Sequence, residues 1–136
     1  MTNTATETRS VVVEREIPYP PEKIWRALTQ PHLIEEWLMK NDFKPVVGHR
    51  FNLRADWGVV DCQVLAIEPN KTLSYTWAAY GLESVVTWTL TPTSTGTHLR
   101  MEQSGFRPDQ QQAYQGAKCG WQKFFANLEQ VLARID

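Results

Sequence analysis

One long amphipathic stretch at the end of the chain constrains the fold more than any other feature. Apolar side chains recur there at steps of three and four residues, from Tyr114 to Ile135, which is the spacing of one helix face. About 25 residues would form a helix of roughly 38 Å. Gly116 and Gly120 weaken its first part, so the pattern also allows a break, or a start as late as Tyr114. Such a helix needs an apolar surface to cover, and the preceding sequence has to supply it.

The preceding sequence predicts a run of about six strands, because apolar and polar residues alternate over most of it. The strand segments are residues 11–17, 49–57, 59–67, 73–79, 86–91 and 98–103. Two short helices, residues 22–28 and 32–39, follow the first strand, and a proline introduces each of them. Short loops between consecutive strands favour antiparallel pairing. The sequence therefore predicts an α+β fold, in which a curved antiparallel sheet of six to seven strands surrounds a long C-terminal helix.

Length and charge limit the domain organisation and the partners. A chain of 136 residues can bury one complete core, so we expect a single domain over residues 9–136 after a disordered tail, residues 1–8. The chain has 14 Lys and Arg and 15 Asp and Glu, and its basic residues form no cluster. This argues against nucleic-acid binding. No apolar run is long enough to cross a bilayer, and the polar N-terminus lacks a signal-peptide core, so a cytoplasmic location is expected.

Two cysteines, Cys62 and Cys119, are too few and too far apart for a disulfide framework or a zinc site. We expect two free thiols, no metal and no cofactor. Acidic residues such as Asp61 and Glu102 fall mostly on the opposite strand face from the apolar set, as does His98. Acid–base catalysis needs such groups inside a pocket, so no catalytic residue is predicted.

Aromatic residues, in contrast, fall on the apolar faces, and six of them in the chain are tryptophan. They either fill a packed core or line a pocket for a small molecule. The predicted cavity lining is Trp57, Tyr75, Trp77, Trp88, Met101, Gln103, Trp121, Phe125 and Arg15, with Trp25, Trp37 and Phe43 near the mouth. Arg15 shares a face with valines, so its charge either meets a polar ligand group or reaches water at the end of the sheet.

Several segments together resemble a known family. They are Arg15-Glu16-Ile17-Pro18, Pro21-Glu22-Lys23-Ile24-Trp25-Arg26-Ala27-Leu28, Pro31-His32-Leu33-Ile34-Glu35-Glu36-Trp37, Glu68-Pro69-Asn70-Lys71-Thr72-Leu73 and Gly120-Trp121. In order and spacing they resemble the heat-shock protein 90 ATPase activator-like family of the START/polyketide-cyclase (SRPBCC) superfamily, over residues 10–135. The resemblance implies a helix-grip fold with a seven-stranded sheet, and a small apolar or aromatic ligand.

Three functions follow from these observations and from the resemblance. The first is non-enzymatic binding of a small hydrophobic or aromatic molecule in a cavity between the sheet and the C-terminal helix. The second is an enzyme of the cyclase or aromatase type, which would need an acid or base facing the cavity. The third is a chaperone-interaction module that uses the outer surface through a weak contact. The sequence does not name the ligand.

Overall fold

The alternating segments form one antiparallel sheet in the computed structural model, which describes residues 8–136. The strands are β1 (Arg9–Ile17), β2 (Lys40–Asn41), β3 (Arg50–Ala55), β4 (Gly58–Glu68), β5 (Thr72–Ala79), β6 (Leu82–Thr93) and β7 (Gly96–Phe106). The helices are α1 (Pro21–Thr29), α2 (Pro31–Trp37) and α3 (Gln111–Arg134). Strand order is β1-β7-β6-β5-β4-β3-β2, so a meander from β2 to β7 is completed by β1 beside β7. The predicted fold class is confirmed, and the predicted tail lies outside the described residues except for the exposed Thr8.

Helix α3 packs its C-terminal half closely against the concave face of the sheet. Its buried residues are Trp121, Phe125, Leu128, Val131 and Leu132. The helix runs from Gln111 without a break, so its glycines do not interrupt it. The C-terminal end is held by ion pairing of Arg134 with Glu36 of α2. The N-terminal half, before Trp121, has no fully buried residue.

Helices α1 and α2 close one end of the core. The indole N–H of Trp37 donates to the carbonyl of Ala27 at 2.8 Å, which joins the two helices. The Trp37 ring meets Trp88 of β6 edge to face, with centroids 5.6 Å apart. Both indoles are fully buried, so this contact belongs to the packed core.

One predicted strand end and one predicted inward face were wrong for local reasons. The strand predicted to reach Trp57 ends at Ala55, because Asp56 and Trp57 form the two-residue turn of a hairpin in which Ala55 pairs with Gly58. The pairing of β4 with β5 shifts register between Val64 and Ala66. This β-bulge changes which side chains of β4 face inward. Ala66, which alternation places on the inward face with Val60, Cys62 and Val64, is therefore exposed.

The outer face of β1 and β7 carries a cluster of charged side chains around His98. Its Nε2 lies 2.8 Å from a carboxylate oxygen of Glu14, and its Nδ1 lies 2.5 Å from one of Glu16. The Arg100 guanidinium binds Glu102 at 2.9 Å beside them. The hydrogen bonds to Glu14 and Glu16 raise the pKa of His98 above its ordinary value.

We expect this raised pKa to appear as a pH-dependent contribution to stability. Because the folded-state pKa exceeds that of the unfolded chain, the contribution is complete below the ordinary histidine pKa and is lost as pH rises through the folded-state pKa. An NMR titration of the His98 ring measures the midpoint, and Glu14→Gln should lower it. An unchanged midpoint in that variant would contradict the assignment to the hydrogen bond with Glu14.

Candidate functional site

A cavity of about 300 Å³ lies between the sheet and the N-terminal half of α3. The sheet contributes Trp77, Leu82 and Gln103, the helix contributes Ala113, Gly116, Ala117, Gly120, Trp121 and Phe124, and Met39 and Trp57 complete the wall. We call this space the inner cavity. Among the described residues, none of the side chains that line it is ionisable, and Gln103 is the only one with an amide.

Two helical glycines leave the space open. A Cβ atom added to Gly116 or to Gly120 would meet no atom within 4 Å outside its own helix. Glycine inside a helix costs roughly 0.5–1 kcal/mol relative to alanine, and here no close packing requires it. The missing side chains are therefore part of the cavity itself.

Gly116→Ala is expected to raise the free energy of unfolding by about 0.5–1 kcal/mol, because alanine restores helix propensity without a clash. Urea unfolding of the variant and of the parent protein measures the difference. A loss of stability would show that the space around Gly116 is already filled.

A chain of buried hydrogen bonds fixes the polar side of the inner cavity. The indole N–H of Trp121 donates to Oε1 of Gln103 at 2.7 Å, and Nε2 of Gln103 donates to Oγ of Ser84 at 3.0 Å. The Ser84 hydroxyl donates in turn to the carbonyl of Trp77 at 2.8 Å. Gln103 is 2% exposed, so its amide is held in one orientation by protein partners alone.

A second, outer cavity of about 540 Å³ adjoins the first and shares Trp57, Leu82 and Ala113 with it. Its remaining lining is Ala79, Tyr80, Asp109, Gln110, Gln111 and Gln112. The hydrogen bond from Arg107 lowers the pKa of Asp109, so this carboxylate is anionic at neutral pH. The outer cavity is thus more polar than the inner one.

Two hairpin turns meet beside the outer cavity through a contact between Tyr80 and Trp57. Tyr80, whose φ is +52°, and Gly81, whose φ is +82°, form the two-residue turn between β5 and β6. The Tyr80 hydroxyl donates to the carbonyl of Trp57 at 2.5 Å, and the two ring centroids lie 6.1 Å apart. A Cβ at Gly58, whose φ is +151°, would stand 2.0 Å from the same hydroxyl, so a larger residue there would displace the Tyr80 ring. This contact fixes Trp57, which is 54% exposed, beside both cavities.

The family model described as Activator of Hsp90 ATPase homolog 1-like protein matches residues 18–133. The chain belongs to this family. The resemblance found in the sequence is thereby confirmed, as is the START-like superfamily.

Solved structures agree with this assignment. MLL2253 from Mesorhizobium loti is 74% identical, with a TM-score of 0.91 over 94% of this chain and 99% of that protein. BH1534 from Bacillus halodurans is 27% identical, with a TM-score of 0.81 over 91% of this chain and 96% of that one. DynU16, a putative protein in the dynemicin biosynthetic locus, is 26% identical, with a TM-score of 0.83 over 92% of this chain and 47% of its own. Comparison with curated proteins gives no match.

This family member brings four of the predicted cavity residues together: Trp57, Trp77, Gln103 and Trp121 all line the inner cavity. Trp57 does so from a turn and not from the strand face expected for it. Sequence periodicity identified the concave sheet face that carries Trp77 and Gln103 and the helix face that carries Trp121.

The other predicted lining residues lie away from the inner cavity. Tyr75, Trp88, Met101 and Phe125 are packed in the core, where Trp88 stacks on Phe125 at 5.5 Å and its N–H donates to the Tyr75 hydroxyl at 3.1 Å. Burial raises the pKa of Tyr75. Phe125 lies on the C-terminal half of α3, which packs closely against the sheet at Trp88. Periodicity gives the face of a residue but not the local distance between helix and sheet.

The predicted mouth residues and Arg15 have other neighbours too. Trp37 and Phe43 are buried in the core, and Trp25 is partly exposed on α1. Arg15 lies at the sheet edge, where its guanidinium donates to Oε1 of Gln122 at 2.5 Å and lies 5.5 Å from the Phe125 ring centroid. Its charge is therefore met by α3 and by water.

Sequence reasoning missed the helix face that completes the inner cavity. Ala113, Gly116, Ala117 and Gly120 follow one another at helical spacing and end beside Phe124. A stripe of small residues on an otherwise apolar helix face was the available signal.

Cys62 lacks the properties of a nucleophile. Burial, aided by the charges of Asp61 and Asp42, raises the pKa of its thiol to about 12. A thiol of this kind stays protonated at neutral pH. Over residues 8–136, no group of three or more possible metal ligands occurs, and no helix has the length and hydropathy of a membrane span.

Proposed function

We propose that this protein binds a small, largely apolar or aromatic molecule in the inner cavity. The observation that carries the proposal is the lining: three tryptophans and Phe124 around one buried amide, with no ionisable side chain among the described lining residues. Small-molecule sites have this composition, and their volumes run from about 300 Å³ upward. The inner cavity is at the lower end of that range, which favours a compact ligand of one or a few rings.

The two glycines of α3 support the same proposal. A helix that only closed a core would gain stability from alanine at Gly116 and Gly120, since a methyl group has room at both positions. Keeping the cavity open is a function that explains both residues. The place of DynU16, a family relative, in a biosynthetic locus also favours a small-molecule ligand.

Binding fits the lining better than catalysis of the cyclase or aromatase type. Such a reaction needs a proton donor or acceptor within hydrogen-bond reach of the substrate. Asp109, the carboxylate that lines the outer cavity, is paired with Arg107 at 3.1 Å. The cytoplasmic location and the weak chaperone contact stay predictions, and neither is required for ligand binding.

Intrinsic fluorescence tests the proposal directly, because Trp57, Trp77 and Trp121 all line the cavity. Titration with a panel of one- to three-ring aromatic compounds is expected to give saturable quenching by some of them. A bound compound at 100 times its Kd should also stabilise the fold by about 2.7 kcal/mol, which a thermal shift detects. Trp25→Phe serves as the control, since this indole lies outside the cavity and its loss should leave affinity unchanged. If no compound of the panel causes either effect, the proposal fails.

A further inference from the structure

The hydrogen-bond partners of Gln103 determine which way its amide oxygen and nitrogen point. An indole N–H can only donate, so the atom that faces Trp121 at 2.7 Å must be the amide oxygen. The amide nitrogen therefore faces Ser84, whose hydroxyl proton is already directed at the carbonyl of Trp77. The hydrogen bonds all donate in one direction, from Trp121 through Gln103 and Ser84 to the carbonyl of Trp77. A flipped amide would place its NH₂ group against the indole N–H, so two donors would face each other.

This arrangement leaves one N–H of Gln103 unused. The amide nitrogen carries two hydrogens, and within residues 8–136 its only acceptor is Oγ of Ser84. The oxygen also keeps a free lone pair, but buried carbonyl oxygens tolerate this better than buried N–H groups do. Trp77 lines the same cavity, and its indole N–H can only donate a hydrogen bond. A ligand in the inner cavity therefore has to supply a hydrogen-bond acceptor.

The charges around the cavity restrict that acceptor further. No lysine or arginine lines either cavity among the described residues, so a buried carboxylate or phosphate would have no cationic partner. Asp109, anionic in the outer cavity, adds repulsion for an anion. A neutral acceptor has neither disadvantage.

We infer that the ligand is a neutral ring compound with a carbonyl group, such as an aromatic ketone, whose oxygen accepts a hydrogen bond from Nε2 of Gln103. This inference rests on the proposed function and adds the chemical class of the ligand. Gln103 is then the residue that determines specificity, and Trp121 and Ser84 position its amide. The hydrocarbon of the same shape would leave the N–H unpaired, which is how polar groups in a site discriminate between ligands of similar shape.

The experiment compares 1-indanone with indane, which differ by one carbonyl, and adds 1-indanol as a hydroxyl donor. Affinities are measured by fluorescence titration on the parent protein and on Gln103→Glu, at a pH where the new carboxylate is ionised. This variant keeps an acceptor for Trp121 and removes the amide N–H. The ratio of ketone to hydrocarbon affinity should fall about three- to tenfold in the variant. Thr97→Val, which loses a buried hydrogen bond to the Tyr19 carbonyl outside the cavity, should leave the ratio unchanged.

Infrared spectroscopy of bound 1-indanone keeps the test independent of the variant's stability. A hydrogen-bonded carbonyl absorbs at lower frequency than the free ketone in an apolar solvent, and we expect that lower frequency on the parent protein. The inference would be overturned if all three compounds bind, bound 1-indanone absorbs at the frequency of the free ketone, and Gln103→Glu leaves the ratio of ketone to hydrocarbon affinity unchanged. The proposed function would still stand in that case. Tighter binding of 1-indanol than of 1-indanone would assign the free lone pair of Gln103 as the recognised atom and also overturn it. Failure of every compound to bind would contradict the proposed function itself.

Discussion

Phe125→Ala is expected to lower the free energy of unfolding by about 3–5 kcal/mol, the range found for a fully buried phenylalanine. The side chain has no exposed surface and stacks on Trp88 with centroids 5.5 Å apart. The Arg15 guanidinium covers it at 5.5 Å, so its packing partners surround it from the sheet and from the edge. Removing the ring would leave a void that rigid neighbours cannot fill. Urea unfolding monitored by circular dichroism measures the loss.

The adjacent residue provides a matched comparison. Phe124 has the same side chain on the same helix, but it is only partly buried and lines the inner cavity. Part of its ring already lacks protein contacts, so Phe124→Ala should cost less, about 1–2 kcal/mol. Its ring meets Trp121 edge to face, with centroids 5.4 Å apart. Equal losses for the two variants would indicate that the cavity is closed and packed in solution.

This pair also shows where sequence reasoning reached its limit. The helical spacing placed Phe125 on the face toward the sheet, and that is correct, but it could not tell that α3 touches the sheet there and leaves a cavity beside its N-terminal half. The distance between helix and sheet depends on the sizes of side chains on both surfaces. At Gly116 and Gly120 one of those surfaces has no side chain at all.

Most of the fold could be predicted because alternation and helical spacing are local properties. The meander followed from short loops, and between β3 and β4 the turn lies at Asp56 and Trp57, where the alternation predicted strand. In the sequence, the bulge at Val64 is indicated by two apolar residues, Leu65 and Ile67, that break the alternation of β4. The alternation does not give the position of the bulge. The two-residue β2 is too short for any periodicity to be detected.

The candidate site was harder to predict because its residues come together through turns and gaps. Trp57 reaches the cavity because a hydrogen bond from Tyr80 holds a hairpin turn beside it, a contact between residues 23 positions apart. Gln103 was identified as a polar residue on an apolar face, but its partners on β6 and α3 depend on tertiary contacts. The chemical type of the lining residues could be inferred from the sequence, but their arrangement around the cavity could not.

Gly120→Leu is expected to weaken ligand binding by about 100-fold while leaving the protein folded. The isobutyl group would enter the inner cavity, where an added Cβ has no atom within 4 Å, and a ligand would have to displace it. Steric overlap in a packed site costs up to about 3 kcal/mol, which corresponds to this change in Kd. Leucine is also a better helix former than glycine, so the free energy of unfolding should not fall. Fluorescence titration with a compound bound by the parent protein, together with urea unfolding, measures both effects.

Ala126→Leu is the control for this prediction, since Ala126 is an exposed residue of the same helix and does not line the cavity. It adds comparable apolar surface to α3, so it should leave Kd unchanged. The two variants separate a ligand that occupies the inner cavity from one that adheres to apolar surface on the helix. Unchanged affinity in a folded Gly120→Leu variant would place the ligand elsewhere and remove the reason for a glycine at that position. A large loss confined to Gly120→Leu would assign to this glycine the role of keeping the cavity open, at the cost of helix stability.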